Sequence, residues 1–196
     1  MSILQQLNDD ISILSERVKR SIVQIRTRHN GGAAGIIWHP SGQIVTNAHV
    51  VGHSPLSVVL PDNRVFKAKV LACDISCDLA ILSINVEGLF PIALGDSASL
   101  EPGQFVMAIG HPWGIKNAVT AGIIMGSGPD YLKIKYPEHL VAVNLPLRPG
   151  NSGGPLVDSE GLLVGINTIM TGSDSGLAIP VNVIKEFCRK EVGALV

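Results

Sequence analysis

The sequence predicts an all-β fold, a sandwich or a barrel, on two observations. Short β-branched runs recur at 21–25, 35–38, 56–60, 65–71, 79–84, 104–109 and 162–168, and Gly, Pro, Asn and Asp punctuate them. The composition agrees: 46% hydrophobic against 16% charged residues, with 21 glycines among 196, suits a turn-rich β protein with a sizeable core. This spacing favours a sandwich or barrel over a parallel α/β sheet.

The N-terminus differs in kind from the strands. Leu4, Leu7, Ile11, Leu14 and Val18 fall in steps of three and four with charged residues between them, the single apolar stripe of an amphipathic helix over 1–20. The stripe is too short for a sustained coiled coil, so it either packs on its own chain or contributes to a subunit contact. It is not a signal peptide, because it lacks a basic start and is interrupted by Asn8, Asp9 and Asp10.

The first group of runs fills residues 21–95. Within it Ile44-Val45-Thr46-Asn47-Ala48-His49-Val50-Val51 is an apolar, β-branched run that delivers a histidine at its end, and Cys77-Asp78-Leu79-Ala80-Ile81-Leu82 delivers an aspartate at the start of a buried strand. The polar segment 96–103 reads as a connection, so the second group spans 96–196 and ends in a short helix over 181–190.

Several chemistries drop out. Net charge is −1 with no dense Lys or Arg cluster, so nucleic-acid binding has no electrostatic footprint. No run is long enough to span a membrane. His49 and His53 have the spacing of a zinc protease motif, but Val50 stands where that motif needs Glu, and no metal or cofactor is expected. Cys73 and Cys77 lack a second ligand pair and read as buried structural thiols. Three cysteines fit a reducing compartment better than a disulfide framework, with one bridge and one free thiol the alternative. The expected location is cytoplasmic if the sequence is complete and extracytoplasmic if a leader was removed.

The most informative run is Pro149-Gly150-Asn151-Ser152-Gly153-Gly154-Pro155-Leu156. Glycines around a serine let the backbone turn sharply and bring N–H groups toward a substrate oxygen, which presents the hydroxyl for attack. Its base must come from upstream, because His29, His39, His49, His53, His111 and His139 all precede Ser152. That excludes the α/β-hydrolase order, in which acid and histidine follow the serine. The subtilisin order needs an aspartate before the histidine, and only Asp9 and Asp10 precede His49. The order His49, Asp78, Ser152 remains, which is that of chymotrypsin.

On those residues the chain resembles the HtrA/Deg family of trypsin-like serine proteases. Thr46-Asn47-Ala48-His49-Val50-Val51, Asp78-Leu79-Ala80-Ile81-Leu82 and Gly150-Asn151-Ser152-Gly153-Gly154-Pro155-Leu156 carry the likeness. Ala93 to Ser97, Ala108-Ile109-Gly110-His111-Pro112-Trp113-Gly114, Val164-Gly165-Ile166-Asn167-Thr168 and Gly176-Leu177-Ala178-Ile179-Pro180 extend it over 21–190. The resemblance implies two six-stranded antiparallel β-barrels with the triad at their junction. His49 and Asp78 come from the first, Ser152 from the second.

It also implies peptide-bond hydrolysis of unfolded or exposed polypeptides, as in protein quality control. Ser152 is then the nucleophile, His49 the base and Asp78 its orienter. Gly150, Asn151 and Ser152 form the oxyanion hole, with Gly150 and Ser152 N–H as donors and Asn151 setting the loop. The substrate pocket falls to Leu147, Thr168, Ile169 and Met170, a largely apolar set that favours a small or medium aliphatic P1 side chain, although Leu147 and Ile169 also read as core.

Family members commonly form trimers, which makes a homotrimer the sharper reading of the N-terminal stripe. The family often adds a C-terminal PDZ domain, and none fits after residue 190. Asn144 and Arg148 stand where the family commonly has Asp and Asn, and Pro146 stiffens the same loop, which is either pre-set or held inactive. The segment 111–114 is either a loop that influences the active site or a surface turn with a packed Trp. Two classes stay open: an active endopeptidase, or a catalytically silent polypeptide-binding, chaperone-like protein of the same fold.

Overall fold

A computed structural model describes residues 2–27, 32–52, 55–127, 140–170 and 174–193. His29, His53 and His139 lie outside them, as do the side chains of Ile169 and Met170. Helix α1 (Ile3–Lys19) is followed by β1 (Ile22–Arg26), β2 (Ala33–His39), β3 (Gln43–Thr46), the short α2 (Ala48–Val51), β4 (Leu56–Val59), β5 (Val65–Asp74) and β6 (Leu79–Ser83). A connection containing a 3-10 turn at Ser97–Ser99 leads to β7 (Phe105–Gly110), β8 (Ala118–Ser127), β9 (Val141–Asn144), β10 (Pro155–Val157), β11 (Leu163–Met170) and β12 (Gly176–Pro180). Helix α3 (Val181–Val192) follows, capped by left-handed Gly193.

The strands close into two antiparallel barrels, in the orders β1-β2-β3-β6-β5-β4 and β10-β11-β12-β9-β8-β7. Period-two alternation explains why their sequences are continuous apolar runs. Val23, Ile25, Ile44 and Leu82 fill the first barrel, whereas their neighbours Ile22, Val45, Leu79 and Ile81 point out of it and join Met107, Ile109, Leu163 and Ile166 of the second in one inter-barrel cluster. Val106, Ala108, Val141, Val143 and Leu156 fill the second barrel. Strands that meet a core on both faces need no polar face.

Helix α1 is held at one end only. Ser2 caps it by accepting from Gln5 N–H at 3.2 Å. Its C-terminal half packs through Ile11, Leu14 and Val18 on the inter-barrel cluster, and the Arg17 guanidinium donates to Glu160 O. Ile3 and Leu4, at the other end, are 86% and 77% exposed. No helix among the described residues is long and apolar enough to cross a membrane.

The run 44–51 divides: β3 stops at Thr46 and His49 rides on the turn of α2. Ala48 N–H leaves the ladder for Asp78 O at 3.1 Å, and the Asn47 side-chain amide donates to the same oxygen at 3.2 Å. Two expectations change. Cys73 is exposed and Cys77 partly so, and only Cys188 is buried. β5 is wet over most of its length, and Cys73 points outward from it. Trp113 is 72% exposed, which removes the packed-Trp reading of its turn.

Candidate active site

Asp78 is the fixed point around which one half of the site is built. Its φ of +54° is left-handed, a conformation that Asp tolerates better than most residues and that persists only where neighbours hold it. Those neighbours are the start of α2: Ala48 N–H and the Asn47 amide donate to the Asp78 carbonyl, and His49 N–H donates to Oδ1 at 3.0 Å. The His49 ring then meets the carboxylate through Nδ1, 3.0 Å from Oδ1 and 2.9 Å from Oδ2. Because the carboxylate only accepts, Nδ1 carries the proton, leaving Nε2 as the basic nitrogen.

The second barrel completes the shell of Asp78. The Thr168 hydroxyl on β11 donates to Oδ2 at 2.6 Å. Burial alone would raise the Asp78 carboxyl, but the bonds from His49, Thr168 and the His49 amide outweigh it and hold the group below its ordinary value. The carboxylate is therefore charged at neutral pH although only 7% of the residue is exposed.

Ser152 is presented on a turn that spans both barrels. Pro149 and Gly150 occupy the centre of a tight turn closed by Asn151 N–H to Arg148 O at 2.9 Å, with Gly150 at φ +106°, where only glycine is comfortable. On the far side, Gly153 N–H donates to Asn167 O at 3.0 Å and Ala34 N–H of β2 donates to Ser152 O at 2.9 Å. Gly153 has φ +79°, and a Cβ there would lie 2.1 Å from Ala34 O and 2.2 Å from Thr46 Oγ1. The serine thus sits on barrel two with its carbonyl pinned to barrel one.

The structure brings several of the expected residues together. His49 and Ser152 line one cleft of about 420 Å³ together with Leu147, Arg148, Pro149, Asn151 and Thr168. The Ser152 hydroxyl does not bond His49; it donates to Thr168 O at 3.3 Å. Among the described residues Gly150 N–H and Ser152 N–H have no intramolecular acceptor, whereas Asn151 N–H is spent on closing the turn. The two open N–H groups are the pair expected as oxyanion donors, and Asn151 shapes the turn between them.

Leu147 is 3% exposed and also lines the cleft, so it serves both as core and as wall. Arg148 adds a guanidinium to a wall expected to be apolar, and its Nη1 donates to Leu147 O at 3.0 Å. The two-sided role of Thr168, hydroxyl to Asp78 and carbonyl to Ser152, was missed in favour of a pocket role. Its signal was available: Asn167-Thr168 are two polar residues interrupting an apolar strand, and a buried hydroxyl needs a partner.

Comparison with known proteins agrees with this geometry. Residues 33–166 match the trypsin-like peptidase domain family. The chain is 40% identical over 165 residues to the chloroplastic protease Do-like 1 of Arabidopsis thaliana, covering 79% of this chain and 38% of that protein. It is 38% identical over 168 residues to the periplasmic serine endoprotease DegP of Salmonella typhimurium, covering 82% and 35%. The chain thus spans little more than a third of the length of these relatives. Among solved structures, the HtrA-type protease AlgW with a decapeptide superposes with a TM-score of 0.85 at 26% identity over 93% of this chain and 67% of that one. AlgW with a tripeptide gives 0.82 at 30% over 94% and 64%. With two closed barrels, a matched domain over most of its length and these relatives, the chain belongs to the trypsin-like peptidase domain family, as a protease domain of the HtrA/Deg type.

Proposed function

We propose that the chain is a serine endopeptidase that hydrolyses peptide bonds in unfolded or exposed polypeptides. The observation that carries this reading is the His49 Nδ1 to Asp78 contact at 2.9 Å, with Ser152 in the same cleft. Ser152 Oγ turns from Thr168 O to His49, loses its proton to Nε2 and attacks the scissile carbonyl carbon. The oxyanion accepts from Gly150 and Ser152 N–H, each donor contributing about 2.7–4 kcal/mol. Collapse of this intermediate breaks the C–N bond, and His49 gives its proton to the leaving amine. A water that loses a proton to His49 then cleaves the acyl ester and restores Ser152. Leu147 and the β11 wall favour a small or medium aliphatic P1 residue, and the exposed end of α1 suits the subunit contact of a homotrimer.

Labelling with a fluorophosphonate tests the reading, with cleavage of a denatured protein measured alongside. Wild type is expected to label at Ser152 and to cleave; Ser152→Ala and His49→Ala are expected to lose cleavage by about 10⁴-fold or more while remaining folded. Full activity in either variant sinks the assignment. One observation favours a second reading: the bond from Ser152 Oγ to Thr168 O describes a serine at rest. A chain that stays unlabelled even with denatured protein present is a silent polypeptide-binding protein of the same fold.

A further inference from the structure

His111 ends the loop entry from β7 and is 3% exposed, yet it has no part in the chemistry above. Its ring makes a polar contact on each side. Nδ1 accepts from Asn117 N–H at 3.1 Å, and since a backbone amide only donates, the proton of the neutral ring lies on Nε2, which donates to Val23 O at 3.2 Å. Val23 belongs to β1, so the ring ties the 111–117 loop of barrel two to barrel one.

The backbone of that loop faces the Ser152 turn. His111 N–H donates to Gly150 O at 2.9 Å, and Trp113 N–H donates to Pro149 O at 3.4 Å. A trans peptide is planar, so a carbonyl held on one side directs the following N–H to the other. With Pro149 O drawn to Trp113, Gly150 N–H points away from the loop; with Gly150 O drawn to His111, Asn151 N–H turns back to Arg148 O. The fit is close: a Cβ on Gly150 would lie 2.4 Å from His111 O, and one on Gly110 would lie 2.8 Å from Asn151 Cα. Left-handed Trp113 and Asn117, at φ +52° and +56°, persist in the loop only because it is tied at both ends.

We infer that His111 is a positioning residue of the oxyanion hole: its ring locks the 111–117 loop against barrel one, and the locked loop holds back the Pro149 and Gly150 carbonyls so that Gly150 N–H is left for the substrate oxyanion. The inference rests on the serine endopeptidase reading.

His111→Phe and His111→Gln separate this role from a merely structural one. Phe keeps the ring volume and removes both polar contacts, whereas the Gln amide N–H reaches as far as Nε2 and can still donate to Val23 O. His111→Phe is expected to lose about 10- to 100-fold in kcat, with KM within a few-fold of wild type, since misplacing one donor weakens only transition-state binding. His111→Gln is expected to recover most of that loss. Affinity for a peptide aldehyde, whose hemiacetal oxygen occupies the hole, should fall with kcat/KM, and affinity for the matching peptide alcohol should not change. His111→Phe with wild-type kcat, a loss not recovered by Gln, or equal losses for aldehyde and alcohol overturns the inference while a labelled Ser152 keeps the functional reading intact. A wild type that no fluorophosphonate labels overturns both.

Discussion

The Thr168 hydroxyl donates to Asp78 Oδ2 at 2.6 Å across the junction of the two barrels. One residue of barrel two thus fixes the carboxylate of barrel one and, through its carbonyl, also receives the Ser152 hydroxyl at 3.3 Å. Thr168→Val keeps the shape and deletes the donor. Hydrogen bonds to a charged group contribute about 1.5–3 kcal/mol, so kcat/KM is expected to drop by about tenfold or more and stability by a similar free energy. Steady-state kinetics with urea unfolding checks both. Thr168→Ser, which retains the hydroxyl, should stay near wild type.

Two buried groups contribute to the acid side of the stability profile, and their signs agree. Burial holds His111 below its ordinary value of 6.5, against the bond to Val23 O and aided by the Lys116 charge, while the hydrogen bonds of Asp78 hold it below 3.8. In both cases the unfolded chain binds the proton more readily, so the stabilisation is complete above the ordinary value and is lost as pH falls through the folded one. Thermal midpoints should therefore decline in two steps, the first below about pH 6.5 and the second below about pH 4. His111→Phe removes the first step, and Thr168→Val shrinks the second, because it lifts the folded Asp78 value toward the ordinary one.

Left-handed glycines at the site and away from it differ sharply in what they tolerate. Gly153 has a left-handed φ of +79° and meets Ala34 O and Thr46 Oγ1 where a Cβ would go, whereas Gly103 has φ +92° and nothing within 4 Å. Gly153→Ala is expected to cost more than about 3 kcal/mol, because two backbone segments from opposite barrels must part. Gly103→Ala should cost about 1 kcal/mol, the conformational penalty alone. Equal thermal shifts in the two variants would show that the barrel junction yields easily at Ser152.

The site was more legible in the sequence than the strands that carry it. His49, Asp78 and Ser152 could be ordered because every histidine precedes Ser152, which leaves one of the known triad orders. The helical turn under His49 was flagged by Asn47 before it and Gly52 after it, but the apolar run masked those signals. β8 was not legible. Its Val119, Ile123 and Met125 are exposed, and Gly122 lies under Asn144 O, where a Cβ would sit at 2.0 Å. A strand with small residues at close approach and apolar ones toward solvent reverses the pattern that strand prediction relies on. The Thr168 bond joins residues ninety positions apart. No local pattern encodes such a partner.

Helix α1 shows how an apolar stripe can serve two ends at once. Val18 is 3% exposed and Leu14 lies against Gly161, so this end belongs to the domain, while Leu4 and Leu7 are 77% and 53% exposed. Val18→Ala should lower stability by about 2 kcal/mol, through lost burial and the cavity it leaves. Leu4→Ser with Leu7→Ser should leave the stability of the single chain unchanged, because neither side chain is covered within it. If the exposed end is a subunit contact, the double variant lowers the mass seen by light scattering from that of a trimer toward that of one chain. If wild type and variant share one mass, the apolar end takes no part in assembly. Deleting the whole helix cannot separate these cases, since it removes Val18 from the core together with Leu4 from the surface.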